Sequence, residues 1–84
     1  MQNPDSIKQL IEGKIPNSVV QVQDMTGTQD HFEIEVVSSV FEGQSLIDRH
    51  RMLHQILEKP MEGDIHAVKF RTFTPTEKKE RKRF

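Results

Sequence analysis

The chain has 84 residues, room for one domain with a modest core, and it contains no cysteine. A disulfide framework and a thiolate-held metal cluster carried by this chain alone are therefore excluded, and the small size disfavours a deep catalytic pocket. Net charge is −1, but residues 1–68 carry −6 and residues 69–84 carry +5, so positive charge gathers near the C-terminus.

The N-terminal stretch MQNPDSIKQLIEGK lacks the cationic and long apolar segments of a secretory signal. No apolar run approaches the ~18 residues of a membrane span. These features lead us to expect a soluble cytoplasmic protein with no membrane partner, monomeric when alone. Asn3, Asp5 and Ser6 are candidate N-caps beside Pro4, and Ile7, Leu10, Ile11 and Ile15 recur at helical spacing. Gly13 and Pro16 suit a helix end, which predicts a short amphipathic helix over about 5–13.

Residues 18–25, SVVQVQDM, alternate as a half-buried strand, TGTQD (26–30) is turn chemistry, and HFEIEVV (31–37) alternates again. In the second strand Phe32, Ile34 and Val36 point inward, and Glu33 and Glu35 form a solvated face. The two strands are expected to pair as a hairpin whose loop ends beside His31. Gly43 then supplies a sharp turn, Ser45 with Asp48 makes a near capping box, and Pro60 ends a second helix. Leu46, His50, Leu53 and Leu57 form the stripe expected to face the sheet, with Arg49, Arg51 and Gln55 toward the edges or solvent.

IHAVKFRTF (65–73) is a third strand, with His66, Val68 and Phe70 on one face, and Pro75 breaks it. The remaining TEKKERKRF is polar and basic, either a frayed helix or a disordered tail. The domain is thus expected over residues 1–75, with 76–84 as a tail. The order α-β-β-α-β implies an α+β fold, a three-stranded mixed sheet covered by two helices on one face. Strands two and three, joined through a helix, run parallel if adjacent. This arrangement is similar to the type II KH-like fold.

The spacing of HFEIEVVSSVFEGQSLIDRHRMLHQIL followed by IHAVKFRTFTP resembles the BolA-like proteins. The matching features are the HF strand start, VVS, the F-x-G turn, the R-H-R of the second helix, the I-H-A strand start and the closing T-P. Together they span roughly residues 5–75. The resemblance implies a protein without catalytic activity that binds a monothiol glutaredoxin and shares a [2Fe–2S] cluster with it, in iron–sulfur trafficking or iron sensing. The isolated protein would bind no cofactor. It maps the family's C-terminal strand histidine, a cluster ligand, onto His66. The second ligand in such proteins comes from the loop between the first two strands, where His31 is the candidate. Some bacterial members are described as DNA-binding regulators of morphology and stress response.

Each histidine also has a reading of its own. His50 reads as a packed imidazole on the apolar stripe. His54 lies four residues on, a spacing that binds metal in zinc hydrolases, but the intervening Arg-Met-Leu offers no carboxylate base. By residue pattern alone His66 is a filler, a nucleic-acid contact or a ligand. A neutral imidazole near pH 7 donates well to iron, and a chain without thiolates needs a partner, a glutaredoxin cysteine with glutathione, to complete the set. The alternative function is DNA binding through the second helix and the basic C-terminus, with Arg49, Arg51, Lys69, Arg71, Lys78, Lys79 and Arg81 contacting phosphates. No Gly-rich phosphate cradle, G-x-x-G clamp, tyrosine or tryptophan supports a nucleotide enzyme or a KH-type RNA contact.

Overall fold

The structure, a computed structural model, describes residues 4–24, 31–59 and 68–81, the side chains of Asp24 and Arg81 excepted. Helix α1 runs Pro4–Lys14, with proline in its first turn, where the missing N–H costs nothing. It buries Ile7 and Ile11, and Ile15 continues the same face just beyond it. The helix passes through Gly13, and the chain reverses instead at Asn17, whose φ of 54° is in the left-handed region that asparagine tolerates. Pro16, directly before it, prevents helix propagation.

Strands β1 (Val19–Asp24) and β2 (Phe32–Val37) pair antiparallel, from Val19 opposite Val37 to Asp24 opposite Phe32. Strand β3 (Val68–Phe73) lies parallel to β2, with Val68 beside Phe32 and Phe73 beside Val37. The sheet order β1-β2-β3 gives the expected mixed sheet. Val20, Phe32, Ile34 and Val36 are buried under the helices, with Val22, Val68 and Phe70 packed against them. The expected strand residues 65–67, and Met25 of the first strand, lie outside the described residues.

After β2, Ser38 is fully buried and bonds across the fold to Pro16 and Phe73 as well as into the turn that follows it. Its Oγ donates to the Pro16 carbonyl at 3.1 Å and accepts from Val40 N–H at 3.2 Å, while its N–H donates to the Phe73 carbonyl at 3.0 Å. It caps a single 3₁₀ turn, Ser39–Phe41, which delivers the Phe41 ring to the core. Gly43 turns the chain with φ +79°, where a side chain is strained. Ser45 then caps helix α2 (Leu46–Glu58), its Oγ accepting from Asp48 N–H at 3.1 Å.

The buried line of α2 is Arg49, Leu53 and Leu57, flanked by Met52 and Ile56. Leu46 and Ile47 are 62% and 64% exposed, and His50 is exposed. The inward face is therefore turned by roughly 60° from the expected stripe, at 100° per residue, because an arginine takes a core position. The expectations of an inward Leu46, a packed His50 and a solvent-facing Arg49 are all corrected.

A third helix, α3, covers Pro75–Arg81. Over these residues the expected tail is an ordered helix bound to the domain. Thr74 Oγ1 accepts from Glu77 N–H at 3.1 Å, and Glu77 Oε1 accepts from Thr74 N–H at 2.9 Å. This reciprocal pair is a capping box, and Pro75 occupies the first helical position.

Candidate functional site

The parallel register between β2 and β3 sets up one end of the sheet. Phe32 and Val68 begin their strands side by side, and Asp24 ends β1 opposite Phe32. His31 directly precedes Phe32 and is exposed at this end. His66 lies outside the described residues, two positions before the first residue of β3.

The opposite end of β3 holds a network that patterning missed. Arg49 is 6% exposed. Its Nη1 and Nη2 donate to the two carboxylate oxygens of Glu77 at 2.8 and 3.2 Å, a bidentate pair. Nε donates to the Gln44 carbonyl at 3.1 Å, Nη1 reaches the Thr72 carbonyl at 3.5 Å, and the guanidinium lies 5.7 Å from the Phe41 ring centre. One cation thus ties α2, β3, α3 and the 3₁₀ turn together. The hydrogen bonds from Arg49 hold the Glu77 carboxyl below its usual value, and the Thr74 N–H adds to the shift. Glu77 was legible as the fourth residue of Thr-x-x-Glu; its partner was not.

The residues expected to contact phosphate do not form one basic face. Arg49 is committed inside the fold. On the face of the sheet away from α1 and α2, Arg71 pairs with Glu33 at 3.6 Å. Lys78 of α3 pairs with Glu35 at 2.8 Å and lies 5.3 Å from the Phe73 ring centre. Lys69, on the same strand face as Arg71, is exposed, as are Arg51 on α2 and Lys79 on α3. The side chain of Arg81 lies outside the described residues. Glu33 and Glu35 are half-buried ion-pair members, not a solvated acidic row.

A family model described as BolA-like protein matches residues 11–77. The chain belongs to the BolA-like family. A BolA homologue from Coxiella burnetii is 38% identical with a TM-score of 0.73, over 94% of this chain and 99% of that one. BolA-like protein 1 of Mus musculus is 41% identical over 54 residues, 64% of this chain and 39% of that protein. This BolA-like chain therefore aligns with well under half of the mouse relative. The BolA domain of SufE1 from Arabidopsis thaliana superposes with a TM-score of 0.75 at 27% identity, over 88% of this chain and 93% of that one. Among the described residues, no three histidine, aspartate or glutamate side chains converge as a metal site. No described helix is long and apolar enough to cross a membrane.

Proposed function

We propose that this protein is a non-enzymatic partner of a monothiol glutaredoxin in iron–sulfur trafficking or iron sensing. In this reading it contributes His66, with His31 as second donor, to a bridging [2Fe–2S] cluster. Family membership over residues 11–77 carries the reading, and the likeness to a BolA domain within a SufE-type protein supports it. The sheet register supports the choice of donors. His31 is exposed and directly precedes Phe32, which the register sets beside Val68, the first residue of β3.

The donor chemistry fits a shared cluster. Imidazole is a good ligand to iron when neutral, and a chain without cysteine leaves the thiolates to the glutaredoxin and glutathione. When bound, such a cluster supplies redox and transfer chemistry. This chain's part in this reading is to present imidazole nitrogens to the partner, and the His31 side chain is exposed where β2 begins. The DNA reading has weaker support, because three of its seven basic residues, Arg49, Arg71 and Lys78, are held in ion pairs on two different faces.

The test is titration of the protein into a cluster-loaded glutaredoxin, read by visible absorption and circular dichroism. A hetero-complex spectrum distinct from that of glutaredoxin alone is expected, and His66→Ala should abolish or shift it. A spectrum identical with and without the His66 imidazole would remove the ligand assignment.

A further inference from the structure

Two histidines on α2, His50 and His54, have no part in the proposed cluster. His50 and His54 are both exposed in the middle of a 13-residue helix. Four residues apart, they lie on one face with Cβ atoms about 6 Å apart, a spacing at which two imidazoles can close on a single ion. The His50 ring is tilted at 55° against the Phe70 ring of β3, with centres 6.0 Å apart, so part of its rotational freedom is already spent. Among the described residues neither imidazole makes a hydrogen bond or an ion pair.

We infer that His50 and His54 form a two-point chelate for a borderline divalent transition metal such as Cu²⁺, Ni²⁺ or Zn²⁺. Imidazole nitrogens select these ions over Mg²⁺ and Ca²⁺, which need oxygen donors. Among the described residues no third ligand converges there, so coordination positions stay open for exchangeable ligands such as water. The site is thus a place of exchange rather than permanent storage. The intervening Arg51, Met52 and Leu53 provide no general base, so the chemistry is binding and not hydrolysis. Exposed Arg51 opposes the ion, and Glu58, one turn beyond His54, offsets it.

The experiment uses the full chain carrying His31→Ala and His66→Ala, which removes the donors of the proposed cluster. Titration with Cu²⁺ alone, read by electron paramagnetic resonance, should show one ion per chain with two nitrogen ligands. Adding His54→Ala should weaken binding about 100-fold, since chelation makes the second contact intramolecular. His50→Ala should do the same, with the far-ultraviolet circular dichroism of both variants unchanged. Failure of the double-alanine chain to bind Cu²⁺, or binding that survives loss of either α2 histidine, would overturn the assignment. Should the background variant fold poorly, the unmodified chain with substoichiometric Cu²⁺ serves. Selective broadening of the His50 and His54 ring protons supports the site, and broadening confined to His31 and His66 refutes it. Neither result depends on glutaredoxin.

Discussion

Replacing Glu77 should cost more than replacing Arg49, although the two form one ion pair. The reason is unequal burial: the Arg49 side chain is 7% exposed and that of Glu77 is 46% exposed. Glu77→Ala leaves a guanidinium inside the fold with the Gln44 and Thr72 carbonyls and the Phe41 ring as its described partners. Arg49→Met keeps the apolar stem and leaves a carboxylate that can turn to water. An exposed pair is worth about 0.2–1 kcal/mol, and stranding one member of a fully buried pair costs about 3–5 kcal/mol. Half-exposed Glu77 falls between these limits, and it also caps α3 through Thr74 N–H at 2.9 Å. We expect about 2–3 kcal/mol for Glu77→Ala and about 1 kcal/mol less for Arg49→Met. In urea, with m about 1 kcal/mol per molar for so small a chain, Glu77→Ala should lower the midpoint by about 2–3 M. Denaturation followed by circular dichroism at 222 nm measures both variants and their double mutant. A Glu77→Ala loss within ~0.5 kcal/mol of zero, the range of an ordinary surface substitution, would refute the reasoning. So would an Arg49→Met cost equal to or above it.

Acid titration should show the same pair. The Glu77 carboxyl is held below its usual 4.5, so its contribution is complete above that value and is lost as pH falls through the lower folded value. The acid limb of a stability–pH curve should therefore be steeper for the native chain than for Glu77→Gln, and parallel limbs would count against the pair. At Gly43 an added Cβ meets nothing within 4 Å, yet φ is +79°. Gly43→Ala should then cost roughly 1 kcal/mol through backbone strain alone, with Gly43→Asn cheaper, as unfolding midpoints would report.

Local pattern made much of the fold legible. The alternation of Phe32, Ile34 and Val36 marked the buried face of β2. Ser45 marked the start of α2, and a helix between two strands implied their parallel pairing. These signals lie within a few residues of each other, so the periodicity of one element is enough to read them. The rotation of α2 was not legible, because it depends on whether Arg49 can be buried. That is decided by Glu77, 28 residues away. The order of α3 has the same origin: a short basic segment looks solvated until its Glu77 carboxylate meets a buried cation.

For the candidate site, composition showed only that cysteine is absent, and it was the resemblance to the BolA-like proteins that singled out His66 and His31. Only the folded sheet, by pairing Phe32 with Val68, brought the His31 end of β2 beside the entry to β3. Composition and periodicity are properties of neighbouring residues, and they determined most of the elements and the inward face of β2. Which distant charges meet is settled by packing, because a buried cation is tolerable only where the whole fold delivers its counter-ion.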